Sequence, residues 1–542
     1  DIFQNWEALS YTYPEFIENI ITLFLNATTI DGYNPYRISN KGIEWEITDP
    51  SDPWSFIGYW GDHQILYLLK LLEISVKFNP GNLEEFLDKP FFTFANVPYR
   101  IKGYQDIVNN PHDTITYDES EEKRIQERIR DVGSDGKLIW KDGQLLTASL
   151  TEKLLIQLLT KLSNFVPEGG IWMNTQRPEW NDANNALVGH GLSMVTVYYI
   201  HRYLQFLKDF YEKQELHELE ISQESGAFFE SIYKVFTQFS GDLVKGFTDK
   251  TRKEVTDSLG RAGEAHRSQV YGKISGRKVS IRHEQIVAFI DLALSFIRQS
   301  IQANRRKDSL YHAYNLITLN ESGFGIEYLY PMLEGQVAVL SSGLIEPQEA
   351  LEILNSLRKS DLYREDQHSY LLYPDRQLAL FMDKSRVDEK VLNKSKLLKG
   401  LLERRDQTII QHDNEGNLYF NPGLKNANDL RAALARIKDP AMLQLIDEEK
   451  EMVLDIYVEV FKHHSFTGRS GKFFGYEGLG SIYWHMNSKL LLAVQEIYYK
   501  ALNENQPDLI IEGLRSFYYD IKEGLGTKKN PEIYGAFPTD PY

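Results

Sequence analysis

A chain of 542 residues with 42% apolar, 25% charged and 13% aromatic side chains has ample material for a large core. Its formal charge of −17 at pH 7 repels a phosphate backbone, so no nucleic-acid partner is expected, and the lack of cysteine excludes disulfides, thiolate nucleophiles and cysteine-built zinc sites. No apolar run has the length of a membrane span, and the N-terminal stretch carries Glu7, Glu15 and Glu18 without a basic leader, so no membrane partner is expected and the cytoplasm is favoured.

Apolar residues recur at helical spacing over 14–26, 62–78, 148–164, 190–212, 226–241, 282–303, 334–342, 347–358, 386–402, 427–437, 442–464, 480–503 and 508–523. In 62–78, Ile65, Leu66, Leu68, Leu69, Leu71, Leu72 and Ile74 occupy more than one stripe, which predicts a helix covered on most sides. The stretch 117–131, with Glu119, Glu121, Glu122, Arg124 and Glu127, predicts a solvated one. Loops rich in Gly, Pro, Asn and Asp are expected at 27–60, 96–118, 165–189, 318–332, 411–425 and 465–479. Helices joined alternately by short turns and long loops predict an all-α toroid of helical hairpins whose long-loop end carries the function. No Gly-Pro-Ser linker divides the chain, so 1–542 is expected to be a single domain, alone, as a homo-oligomer or beside flanking domains. Asp1 in place of Met and the loop-like ending Phe537-Pro538-Thr539-Asp540-Pro541-Tyr542 fit excision from a longer polypeptide.

Five stretches could carry chemistry. The first is Asn34-Pro35-Tyr36-Arg37, where the planar guanidinium of Arg37 suits phosphate oxygens. Tyr59-Trp60-Gly61-Asp62-His63 follows, with hydrogen-bonding groups beside an aromatic face. The third runs from Gly169-Gly170-Ile171-Trp172 into Glu179-Trp180-Asn181-Asp182, directly ahead of an apolar helix. An Asp there often caps the helix, yet burial beside Trp180 and a second carboxylate, Glu179, would also raise its pKa toward that of a proton donor. Glu334, in Glu334-Gly335-Gln336, precedes another helix. Last come Arg469 and Lys472 in Thr467-Gly468-Arg469-Ser470-Gly471-Lys472, then Glu477, and Ser481 with His485. Inversion at a sugar carbon needs either water activated by a base, for which Glu334 and Glu477 are candidates, or phosphate held by Arg37, Arg469, Lys472, Ser481 and His485. The basic segment 250–282 is expected to be a solvated face, with Arg267 and Tyr271 able to border the cleft. His463 and His464 point about 100° apart on a helix, so no metal site is expected.

Trp180-Asn181-Asp182, followed by Asn185 and Val188-Gly189, resembles the signature loop of the cellobiose phosphorylase family and its inverting (α/α)6-barrel relatives. The stretch from Glu334 through Gln336 to Ser341-Ser342-Gly343 resembles a helix start of that family, and Gly478-Leu479-Gly480-Ser481 stands where the family has a turn that grips phosphate. Tyr59-Trp60-Gly61-Asp62-His63 is similar to a loop that holds the nonreducing-end sugar. The resemblance implies an (α/α)6 barrel without the family's N-terminal β-sandwich. It also implies β-glycosidic chemistry on gluco-oligosaccharides with inversion, Asp182 as general acid, and inorganic phosphate as co-substrate without any other cofactor. Trp60, Asp62, His63, Glu179, Trp180, Asn181, Gln336 and Tyr36 would then contact sugar. Phe56 replaces an Arg of the family pattern. An inverting hydrolase and a non-catalytic sugar-binding scaffold are the competing readings; isoprenoid chemistry lacks its Asp-rich cluster.

Overall fold

The helix Leu150–Ser163 shows how this sequence builds its interior, because all fourteen of its residues are buried. Ser149 caps it by accepting from the Glu152 amide, and leucines cover most of its circumference. Its buried charges have partners. The Lys153 ammonium donates to the carbonyls of Thr28 at 3.1 Å and Thr93 at 2.8 Å and lies 3.7 Å from the Phe94 ring centre, while Glu152 takes bonds from Ser225 and Lys278.

The computed structural model describes residues 2–34, 37–39, 41–47, 57–60, 64–177, 187–214, 218–374, 386–461 and 482–527. The chain is mostly helical, as the spacing predicts. The expected helices appear with ends shifted by a few residues, among them Gln64–Phe78, Met194–Glu212, Gln223–Phe239, His283–Ala303, Pro347–Lys359, Trp484–Asn503 and Asp508–Lys522. Helix Glu119–Val132 is largely exposed, in agreement with its charges, and only Glu121 and Ile125 are buried.

The chain divides into two compact units. One comprises Asp1–Glu179, Leu187–Pro374 and Ile482–Tyr542; the other comprises Trp180–Ala186 and Asp375–Ser481. The described part of the second unit has its own core: Leu397, Leu398 and Leu401 of helix Lys396–Glu403 meet Leu430 and Leu434 of Ala427–Arg436 and Val453, Tyr457 and Phe461 of Pro440–Phe461. A hairpin of Ile410–His412 and Leu418–Phe420 closes it.

Strands appear where long loops are expected. In the first unit, Phe165–Val166 (β1), Gly170–Trp172 (β2), Gly191–Ser193 (β3), Tyr314–Asn320 (β4) and Gly323–Tyr328 (β5) form an antiparallel sheet in that order. The expected loops 96–118, 318–332 and 411–425 likewise contain strands. Most of these strands are two or three residues long, too short for alternation to register, and β4 and β5 are joined by a tight turn at Asn320–Gly323. Helix Asp249–Tyr271 was hidden in the basic segment for a related reason. Its buried face is made of Thr256, Gly260, Ala262, Gly263, His266 and Arg267 beside only Val255, Leu259 and Val270, so its apolar period is weak.

Candidate active site

Within the first unit, the neck of the loop that carries Asp182 is fastened by the sheet. Ile171 and Trp172 pair with Ser193 and Leu192, the Trp172 indole donates to the Gly189 carbonyl at 2.8 Å, and the Gly189 amide donates to Met173 at 2.8 Å. Ser193 then caps helix Met194–Glu212 by accepting from the Thr196 amide. Just beyond the neck, Gln176–Arg177 pairs in parallel with Tyr59–Trp60, Gln176 opposite Tyr59 and Arg177 opposite Trp60. Parallel pairing sends both chains off in one direction, so the stretch leading to Asp62 and the stretch leading to Glu179 and Asp182 leave the same end of one ladder.

A network of charges fixes the helices behind these loops. Arg202 holds Glu73 through Nε at 2.7 Å and Nη2 at 3.0 Å, Glu496 through Nη1 at 2.7 Å, and the Ser341 carbonyl at 3.0 Å. Lys70 adds a 2.9 Å bond to Glu496. These groups join four helices: Gln64–Phe78, Met194–Glu212, Leu333–Leu340 and Trp484–Asn503. Gln64–Phe78 and Met194–Glu212 come after stretches singled out for chemistry, whereas Leu333–Leu340 itself carries Glu334 and Gln336 and Trp484–Asn503 carries His485. At 1.5 Å per residue the network lies about 9 to 18 Å behind their N-termini.

The order of contacts shows that the helices run parallel. Ala313 accepts from the Met194 and Val195 amides and packs against Gly335, while Leu333 bonds Leu372 and Asn487 bonds Tyr370 two residues away, so three helix starts lie together; Ser341 and Glu496 then share Arg202 farther along. The 59–60 and 176–177 ladder joins the starts of the other pair, whose middles meet through Glu73 and Arg202. Four helix N-termini, each the positive end of its helix dipole, therefore lie toward one end of the unit. Lys70, and next Arg202, hold the Glu496 carboxyl down to about 2 against the effect of burial. Arg202 was not among the expected residues; its signal was a lone Arg in an apolar helix, a group that is seldom buried without partners.

The described candidates fall as follows. Glu334 is buried in the first turn of its helix, and its charge adds to burial in raising the Tyr199 hydroxyl. Gln336 is fully buried; its amide nitrogen donates to the carbonyls of Tyr311 at 2.8 Å and Met332 at 3.0 Å, and its oxygen accepts from the Tyr311 amide at 2.9 Å. It holds backbone in place. Arg37 has an exposed side chain and pairs with Glu44 at 2.5 Å. His485 is exposed in the first turn of helix Trp484–Asn503, with its ring edge-on to Tyr483. Trp60 is placed by its strand. Tyr36, Asp62, His63, Glu179, Trp180, Asn181, Asp182, Arg469, Lys472, Glu477 and Ser481 lie outside the described residues.

Beneath the Tyr59–Trp60 ladder the structure assembles a cluster of which the sequence singled out only Tyr59 and Tyr271. Tyr33 stacks on Tyr59 with ring centres 4.7 Å apart, and Asn164 and Thr175 each bond the Tyr33 hydroxyl at 3.2 Å. Asp31 is buried and accepts from Thr29 at 2.5 Å and from the Tyr271 hydroxyl. Gly32 makes this turn possible: its φ is +85°, and a side chain would strike Thr160. Burial, and next the Asp31 charge, hold the Tyr271 phenol protonated well above its ordinary pKa. Among the described residues no group of His, Cys, Asp and Glu could hold a metal ion.

No curated protein matches the chain. Residues 378–464, which fall within the second unit, match the family model described as GH149 phosphorylase insertion domain 2, and this match relates the chain to glycoside phosphorylases and to carbohydrate-active enzymes.

Proposed function

We propose that the chain is the barrel of an inverting glycoside phosphorylase that cleaves or forms β-glycosidic bonds in gluco-oligosaccharides, with inorganic phosphate as co-substrate. The observation that carries this reading is the phosphorylase insertion domain matched at 378–464. The arrangement of the first unit supports it, because the loops of the resemblance leave from the starts of helices that run parallel.

In this reading Asp182 is the general acid. It hands its proton to the departing glycosidic oxygen while phosphate attacks the anomeric carbon from the opposite face, so the C–O bond to the leaving sugar breaks as a C–O bond to phosphate forms. Trp60, Trp180 and Tyr36 provide faces for sugar rings, and Asp62, His63, Glu179 and Asn181 accept or donate at sugar hydroxyls. Arg469 and Lys472 supply cations, and Ser481 and His485 hydrogen-bonding groups, for the phosphate. Gln336 positions the start of its own helix.

Incubation with cello-, sophoro- and other β-gluco-oligosaccharides, with and without phosphate, tests the proposal. Phosphate-dependent release of an α-configured sugar 1-phosphate is the expected result. Release of reducing sugar at the same rate without phosphate would assign the chain to hydrolysis and make Glu334 or Glu477 the base. No turnover under either condition, with sugar still bound, would mark it as a binding scaffold.

A further inference from the structure

We propose that the first unit carries a second saccharide pocket, built for a single neutral sugar unit, which among the described residues of the candidate stretches touches only Tyr59. The cavity has a volume of about 220 Å³, the room of about seven waters at about 30 Å³ each, which suits one pyranose ring. Asp31, Tyr59, Tyr99 and Glu121 are among the buried residues of its lining, and the half-buried Trp140, with Arg128, is among the residues nearer solvent.

The chemistry of the lining selects the ligand. Its charges cancel: Asp31 and Glu121 face Arg100 and Arg128. Arg128 reaches Glu121 at 3.3 Å, Asn96 donates to Glu121 at 2.7 Å, and Arg100 pairs with Asp118 at 3.2 Å while its guanidinium lies 4.9 Å from the centre of the Tyr271 ring. An anion entering here meets two carboxylates, and a cation meets two guanidiniums. A purely apolar ligand would strip water from all four charged groups and return no hydrogen bonds. A sugar ring presents hydroxyls at its edge to the spare lone pairs and N–H groups of these pairs, and C–H faces to Trp140, Tyr99 and Tyr271. The pocket draws on helix Glu119–Val132, the Trp140–Lys141 strand and the end of helix Asp249–Tyr271, none of which carries a residue assigned to the phosphorylase reaction.

Calorimetric titration of glucose into the chain, into Trp180→Ala and into Trp140→Ala tests the pocket. The expected result is a binding event that survives Trp180→Ala and weakens about tenfold or more in Trp140→Ala, the loss of one good aromatic face. Arg128→Gln, which keeps length but leaves Glu121 without that partner, should weaken the same event, and unchanged circular dichroism and melting show that both variants are folded. Absence of glucose binding in Trp180→Ala, or binding that neither Trp140→Ala nor Arg128→Gln alters, overturns the proposal. So does displacement of glucose by inorganic phosphate in Trp180→Ala, which would make the pocket an anion site. If glucose binds Trp180→Ala as expected while the unaltered chain forms no sugar phosphate, the pocket stands and the phosphorylase reading falls.

Discussion

Replacing Arg202 by Met removes the cation that joins four helices and leaves the hydrophobic stem in place. Glu73 loses its two-bond partner, and Glu496 keeps Lys70 at 2.9 Å. Lys70 and then Arg202 hold the Glu496 carboxyl at about 2 in the folded chain against an ordinary 4.5. At 1.36 kcal/mol per unit of pKa the two cations together supply about 3 kcal/mol there, and Arg202, which also holds Glu73, carries about 2–3 kcal/mol in all after partial exposure is allowed for. A folded carboxyl pKa below its unfolded value contributes stability that is complete above about pH 4.5 and is lost as pH falls toward about 2. At roughly 2.1 cal/mol/K per residue, a first unit of about 430 residues gives a melting entropy near 0.9 kcal/mol/K. Arg202→Met should therefore lower the melting temperature of that unit by about 2–3 °C at pH 7, with the gap from the parent narrowing between pH 4.5 and pH 3. Scanning calorimetry across that range is the assay. A gap below about 0.5 °C at pH 7, or one that is as wide at pH 3 as at pH 7, would refute the assignment of Arg202 as the group that fixes these helices.

Other expectations follow from single sites. Asp182→Asn should lower phosphate-dependent turnover about 10²- to 10⁴-fold on sugars whose leaving group needs a proton, and much less on aryl glycosides, whose leaving group departs without one; equal losses on both would remove Asp182 from the acid role. His201 is buried with its Nδ1–H donating to the Ser342 carbonyl at 2.8 Å and its Nε2 accepting from Arg298 at 3.2 Å, and burial takes its pKa down to about 4. The unfolded chain takes up that proton first, so stability falls as pH drops from about 6.5 toward 4, and His201→Gln should flatten the urea-midpoint profile over that window by about one proton. Lys153→Met leaves the Thr28 and Thr93 carbonyls without their donor and should cost about 2–4 kcal/mol in urea unfolding; a neutral result would show that those carbonyls find other partners.

The sequence was legible where helices are long and apolar and opaque where they are not. Gln64–Phe78 and Met194–Glu212 announce themselves by leucines, valines and isoleucines on more than one face. Asp249–Tyr271 does not, because its buried side uses glycine and alanine to admit Ser163 and the Tyr104 ring close to its axis. The five-stranded sheet escaped notice because three of its strands span two or three residues and are defined by pairing across long separations, such as Leu192 opposite Asn315. At the candidate site, the motif residues of the loops could be read from their order along the chain. Glu73 and Glu496 could not, since a buried network is specified by three-dimensional proximity and each looks alone like an ordinary helix charge; only Arg202, in an apolar helix, gave a sign. In the cluster beneath the ladder, Tyr59 and Tyr271 were legible, and Asp31 and Tyr33 were hidden for the same reason.

An acidic protein that uses phosphate faces a conflict of range, and this gives a last expectation. The formal charge of −17 repels an approaching dianion over distances set by the Debye length, about 30 Å at 0.01 M salt and about 8 Å at 0.15 M. The helix N-termini act within about one turn, and the cations proposed to hold phosphate act at contact, so salt screens them far less than it screens the surface field. Raising ionic strength from about 0.01 to 0.15 M with a non-competing salt should therefore lower the KM for phosphate and leave the KM for a neutral oligosaccharide unchanged. Initial rates at fixed saturating sugar measure the first, and at fixed saturating phosphate the second. A KM for phosphate that rises with salt would mean that exposed cations, rather than helix ends and contact groups in a sheltered site, capture the anion, and the phosphate site would then have to be sought on the surface.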